Sequence, residues 1–221
     1  MRRQLAAECF GTFALVFAGT GAIIINDVSN GAISHVGIGL TFGLVVLAMI
    51  YAVGDASGAH LNPAVTFGFF AAHRFPARSV LPYILSQSVG AIAASTVLHL
   101  LFPQHPTLGV THPAGSGLQS FVLELILTCI LMFVILSVST GAKEKGVTAG
   151  IAIGAVIALE AIFAGPICGA SMNPARSLAP ALLSSRLDAL WIYLTAPPIG
   201  ALLAVFACRC VQQPGCCSLQ E

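Results

Sequence analysis

The chain of 221 residues is 57% hydrophobic and only 8% charged, with a mean hydropathy of +0.94. An ordinary soluble domain carries about 25% charged residues, so this chain cannot cover a water-facing surface with what it has. It is an integral membrane protein, and with 9 Lys+Arg against 8 Asp+Glu it offers no surface for a nucleic acid.

A spanning helix needs about 20 largely apolar residues. The first such run covers residues 5–25. It is long enough to span, and no small-residue cleavage site clearly follows it, so no cleavable signal stands out. A second span covers 34–53. The apolar piece at 62–72 is too short to cross, about 16 Å as a helix, or roughly half of a ~30 Å hydrocarbon core. Spans follow at 80–102, 118–140 and 147–164, then a second short piece at 173–183 and a last span at 189–211. The expected fold is an all-α membrane bundle of six transmembrane helices plus two re-entrant half-helices, one domain over 1–221 with a tail at 212–221.

Orientation follows from Lys and Arg in the loops. Arg2, Arg3, Arg74, Arg78, Lys143, Lys145 and Arg209 all fall on one side of six spans, and only Arg186 falls on the other. That places both termini and the tail in the cytoplasm.

The chain repeats itself. Asn173 follows Asn62 by 111 positions, and the same offset pairs Gly39 with Gly150, Gly43 with Gly154, Gly54 with Gly165 and Gly58 with Gly169. Nearby offsets pair Glu8 and Thr12 with Glu124 and Thr128, and Tyr83 and Gly90 with Tyr193 and Gly200. The two repeats, about 1–102 and 118–211, each hold three spans and a half-helix. An odd number of spans inverts the second repeat relative to the first. The half-helices then enter from opposite faces and meet near the midplane.

Both copies carry the same local signal, Ser57 to Thr66 and Cys168 to Ser177: a glycine-containing approach, an asparagine, then a proline. Asn is a good N-cap and Pro is favoured at the first helical position, so Asn62-Pro63-Ala64 and Asn173-Pro174-Ala175 open two helices. Non-helical backbone at membrane depth is tolerated only when buried in protein or lining a wet cavity. Gly58, Ala59 and His60, with Gly169 and Ser171, therefore offer carbonyls to a pore as a ladder of acceptors. Two helix N-termini, each worth about half a positive charge, and the amides of Asn62 and Asn173 face the same space. A water there accepts from both asparagines, which interrupts a proton wire while the positive ends repel cations. Arg176, one turn past Asn173, is a charge at membrane depth and marks a guard at a constriction, against the alternative of snorkelling to the interface.

The doubled Asn-Pro-Ala triplet, the second followed by Arg176, with Glu8 and Glu124 opening the two halves, resembles the aquaporin family over essentially the whole chain. The runs Thr41-Phe42-Gly43-Leu44-Val45-Val46 and Ala164-Gly165-Pro166, the latter ahead of Gly169 to Asn173, are most similar to the nodulin-26-like subgroup. The resemblance implies a homotetramer in the lipid bilayer, with one pore per subunit, passive flow of water and small neutral solutes, and no cofactor or metal. It also implies a selectivity filter at Phe42, Ala161, Ala170 and Arg176. One aromatic and two alanines make that opening wider and less polar than a water-only filter, suiting glycerol, urea, or undissociated boric, arsenous or silicic acid. Ser177 and Ala181 instead resemble the water-channel pattern, so a strictly water-selective channel stands as the alternative.

By the same resemblance, Glu8 and Glu124 are structural acceptors for backbone N–H groups of the re-entrant loops; the alternative is proton coupling. Glu160 is expected to be buried with a polar neighbour, with a pair to Arg176 or a place facing a partner subunit as the other readings. His60 resembles a pore-lining position and has no second metal ligand at a suitable spacing, while His105 and His112 are expected to be solvated. The glycines at 39, 43, 150 and 154 read as close helix packing. The cysteines at 208, 210, 216 and 217 admit acylation, soft-metal binding or no role. Three other classes are weighed: a secondary transporter, since inverted repeats with broken helices occur there too, an occluded junction protein, and an enzyme, for which no nucleophile–base pair or metal constellation is present.

Overall fold

The computed structural model describes residues 1–139 and 143–211, with side chains in the second stretch from 148 onward. Among them are eight helices: α1 (Arg2–Val28), α2 (Ser34–Ser57), α3 (Pro63–Ala71), α4 (Ala77–Leu101), α5 (Gly117–Val138), α6 (Lys143–Cys168), α7 (Pro174–Leu183) and α8 (Leu190–Val211). Six are long and apolar enough to cross a membrane. The side chains of Lys143 and Lys145, and the tail with Cys216 and Cys217, lie outside the described residues.

Three spans, α1, α2 and α6, overrun their apolar windows. Helix α1 begins at Arg2 rather than 5, and α6 continues through Pro166 to Cys168 rather than stopping at 164. Hydropathy marks only residues that suit lipid, whereas a backbone deprived of water keeps its intrahelical bonds to the very end. The half-helices are shorter than expected, nine and ten residues, because the asparagine is a cap outside the helix. Asn62 Oδ1 accepts from Ala64 N at 2.8 Å; Asn173 Oδ1 accepts from Ala175 N at 3.0 Å and Arg176 N at 3.3 Å.

Packing repeats with the sequence. Helix α1 lies against α2 and α4 as α5 lies against α6 and α8. Gly90 of α4 sits on the Cys9 carbonyl of α1, and Gly200 of α8 on the Leu125 carbonyl of α5; a Cβ at either would overlap that oxygen. The halves join where Gly43 of α2 and Gly154 of α6 each face the other's carbonyl. Small residues at such a seam let backbones approach without lipid between them. The half-helices cross over: α3 packs chiefly on α8, and α7 chiefly on α4. Each re-entrant piece is thus gripped by the last span of the opposite half.

The molecule is apolar outside and polar within. Leu81, Leu100 and Phe206 are 64%, 74% and 70% exposed, while Glu8, Gln87, Glu124, Thr128 and Arg176 are buried. Arg74 does not stand free in its loop: it donates to the Leu136 and Ser139 carbonyls, both at 3.2 Å, and covers the end of α5.

Candidate pore

The chain reaches each half-helix through a strained segment. Helix α2 ends on Gly58 at φ 87°, and the matching Gly169 stands at φ 83°. Ala59 (47°), Leu61 (52°), Ala170 (40°) and Met172 (54°) are also left-handed. That conformation costs an L-residue about 1–2 kcal/mol, so something must hold it.

Two buried carboxylates do. Glu8 Oε1 accepts from His60 N at 2.9 Å and from Ser57 Oγ at 2.7 Å. Its Oε2 accepts from Leu61 N and Gln87 Nε2, both at 2.7 Å. In the other half, Glu124 Oε1 accepts from Ser171 N at 2.7 Å and Oε2 from Met172 N at 2.8 Å. Charge-assisted bonds to backbone N–H are about twice as strong as neutral ones, and here they satisfy amides that no helix or sheet reaches. Two tyrosines tie the segments at their start: Tyr83 donates to Ser57 O at 3.0 Å and Tyr193 to Cys168 O at 2.7 Å.

The tips of α3 and α7 meet. Asn62 Nδ2 donates to Met172 O at 2.8 Å, and Asn173 Nδ2 to Leu61 O at 2.9 Å. Each cap uses one amide proton to hold the other loop, leaving a second proton to each NH₂ group.

One cavity runs past these tips. Phe42, Ala161, Ala170 and Arg176 line it together with Asn62, Asn173, Gly58, Ala59, His60 and Ser171. Facing them is an aliphatic wall that includes Val46, Ile50, Leu131, Ile135, Ile153 and Ile157. Gly169 is not part of the lining, and Pro63, Ala64, Pro174 and Ala175 are buried behind it. Apart from Ser139 beyond Ile135, the polar side chains therefore come from the re-entrant segments and Arg176, and the rest of the lining is apolar.

Arg176 is 2% exposed, so it does not snorkel. Its Nη1 donates to Gly109 O at 3.0 Å, its guanidinium carbon stands 5.2 Å from the Phe42 ring centroid, and its Nε has no partner. The Gly109 carbonyl arrives from the loop after α4, which turns inward through left-handed Leu108 and Gly109. Phe42 in turn has room only because Gly19 of α1 has no Cβ. His60 is packed by aromatic rings, with Phe69 and Phe75 at 4.7 Å and Tyr83 at 5.2 Å. Its Nδ1 lies 3.1 Å from Thr66 Oγ1. The corresponding pair in the second half is two hydroxyls, Ser171 and Ser177, 2.5 Å apart, with Thr111 Oγ1 donating to Ser177 at 2.8 Å.

Two expectations are corrected. Glu160 is buried, but neither carboxyl oxygen has a hydrogen-bond partner, so it is not bonded to Arg176 or to any other polar group. His105 is not solvated: its side chain is 4% exposed, its Nδ1 accepts from Leu108 N at 3.0 Å, and its Nε2 lies 3.2 Å from Asp27 Oδ2. Cys208 is buried in the bundle while Cys210 is exposed, so these two cysteines do not share one surface. His112 is exposed beside Asp188 at 3.5 Å. The tyrosine ties, Gly19, Gly109 and Thr111 were missed from sequence; only Tyr83 and Tyr193 left a signal, as a repeated pair.

Inverted repeats whose half-helices touch beside a continuous cavity make a membrane channel architecture. The family model described as major intrinsic protein matches residues 1–208, and the chain belongs to that family, whose members are channels and not enzymes. It is 47% identical over 206 residues to aquaporin NIP1-1 of Zea mays, covering 93% of this chain and 73% of that one. It is 44% identical over 211 residues to nodulin-26 of Glycine max, covering 95% and 78%. The X-ray structure of the aquaglyceroporin from Plasmodium falciparum superposes with a TM-score of 0.85 at 26% identity, covering 95% of this chain and 96% of that one.

Proposed function

We propose that the chain is a passive channel for water and small uncharged solutes of the size of glycerol, urea or undissociated boric acid, and that it excludes protons and ions. The observation that carries this reading is the single cavity where Asn62, Asn173 and Arg176 face an aliphatic wall. A permeant accepts hydrogen bonds from the free asparagine protons and the Arg176 guanidinium along one strip, while the opposite wall neither binds nor retains it. Binding strong enough to enter and weak enough to leave is the condition for conduction. Two helix N-termini and a guanidinium make the narrow part hostile to cations.

In this reading Phe42, Ala161, Ala170 and Arg176 form the filter, and Gly58, Ala59, His60 and Ser171 the carbonyl ladder, with Gly169 left out because it does not line the cavity. Glu8 and Glu124 are structural, since their oxygens are taken by the loop amides. Residues 1–211 act as one domain. Family membership supports a homotetramer, and six spans with Arg2, Arg3, Arg78 and Arg209 on one side support cytoplasmic termini.

Stopped-flow light scattering of proteoliposomes tests the proposal, comparing water with glycerol, urea and boric acid. Flux of water and at least one solute, unsaturating and independent of a proton or sodium gradient, is expected. No osmotic response above lipid alone would leave an occluded bundle, and gradient-driven accumulation would leave a transporter.

A further inference from the structure

Pro166 lies inside α6, two residues before its end. Proline has no backbone N–H, so the carbonyl four residues earlier, that of Ile162, loses its intrahelical donor. His35 Nε2 donates to that oxygen at 2.7 Å from the first turn of α2. A carbonyl only accepts, so this ring nitrogen carries the proton; the neutral Nε2–H tautomer and the imidazolium both fill the role.

The surroundings are shaped for this bond. At Gly165 a Cβ would stand 2.8 Å from His35 Cε1, so the missing side chain is the space the ring occupies. One turn along α2, a Cβ at Gly39 would lie 3.2 Å from Ile162 N, and beyond it Gly43 abuts Gly154 and Ala158. Helices α2 and α6 therefore run backbone to backbone, and His35 closes one end of that seam. Ile162 directly follows Ala161, and Phe42 lies two turns along α2 from His35. The bond thus joins the two helices that carry Phe42 and Ala161 into the cavity lining.

We infer that His35 is a positioning residue for the filter: its bond to the carbonyl freed by Pro166 sets the separation of Phe42 from Ala161, and with it the largest solute admitted. This rests on the filter reading above. Losing the bond lets α6 ease away from α2 and widens the opening.

The test is the glycerol-to-water flux ratio in proteoliposomes. His35→Ala is expected to raise it about fivefold, the barrier change equal to one hydrogen bond. Gly165→Ala, which drives the ring off the carbonyl, should reproduce that rise. His35→Gln, which keeps an N–H donor, should hold the ratio near that of the unsubstituted chain. Pro166→Ala returns an N–H to α6, so adding His35→Ala to it should change the ratio no further. Thermal unfolding in detergent reads the same coupling without any flux: His35→Ala lowers Tm when Pro166 is present and leaves it unchanged in the Pro166→Ala chain. An unaltered or lower ratio in His35→Ala with water flux intact, or equal effects of His35→Ala in both backgrounds, would overturn the inference. Unsubstituted chain that conducts nothing would end the channel reading and the filter role of His35 with it, and the unfolding cycle would then decide the clasp alone.

Discussion

The segment 58–66 and its counterpart 169–177 are built alike from the backbone outward. Each has a left-handed glycine, two further left-handed residues, a carboxylate beneath its amides, a tyrosine at its start and an asparagine reaching across to the other. Carried through the 111-residue offset, however, the side chains facing the cavity differ. Arg176 corresponds to Val65, Phe42 to Ile153, Ala161 to Ile50 and Ala170 to Ala59, and all eight line the same cavity. One set of four thus has a cation over an aromatic ring where the corresponding set, Val65, Ile153, Ile50 and Ala59, has only aliphatic groups. In the proposed channel, the duplicated part makes the opening and the part that is not duplicated chooses what uses it.

The largest expected effect is on the braces. Glu8→Ala strands the amides of His60 and Leu61 and takes an acceptor from the Ser57 hydroxyl and from Gln87, which keeps Thr66 Oγ1, whereas Glu124→Ala strands two backbone amides. At about 1–3 kcal/mol for each buried orphan, both variants lose most of their stability and Glu8→Ala loses more. Thermal unfolding of purified protein ranks them, and equal losses would erase the difference between the braces. Next comes the cation barrier. Arg176→Ala should raise proton or cation leak by about tenfold, or ~1.4 kcal/mol of barrier, in liposomes carrying a pH-sensitive dye. Val65→Ala should leave the leak unchanged; a leak indifferent to Arg176 would remove its guard role.

Smaller effects sharpen the contrast. Ala161→His should narrow the filter and cut glycerol flux about tenfold while cutting water flux far less. Ile50→His at the corresponding place should leave the ratio of the two fluxes alone, and equal losses of both solutes in Ala161→His would count against the filter assignment. The smallest changes probe the symmetry itself. Tyr83→Phe and Tyr193→Phe each remove one hydroxyl bond, so each should cost about 1 kcal/mol, read as matched shifts in Tm.

The spans and half-helices were legible because they rest on local signals: apolar run length for α1 and its five companions, and an Asn-Pro pair for α3 and α7. The repeat added the inverted topology. What sequence could not reach are contacts made by groups without a distinctive neighbourhood. Met172 O and Leu61 O as acceptors for the opposite asparagine depend on main-chain atoms, which every residue has. Gly19 was one glycine among many until the ring of Phe42 was found in the space a Cβ would need. Glu160 departs from the ordinary rule for buried carboxyls, since neither of its oxygens finds a hydrogen-bond partner. Pro166 was visible, but the residue that answers its missing N–H lies 127 positions earlier than the carbonyl it frees.

The reciprocal asparagine bonds also bear on biogenesis. Leu61 and Asn62 leave the ribosome and enter the bilayer 110 residues before Met172 exists, so the first re-entrant loop cannot lock on its own. Its final descent must wait for translation of the second repeat. A nascent chain arrested after α4 should therefore show the 58–66 region open to a membrane-impermeant thiol reagent at an engineered cysteine, and the full-length chain should show it shielded.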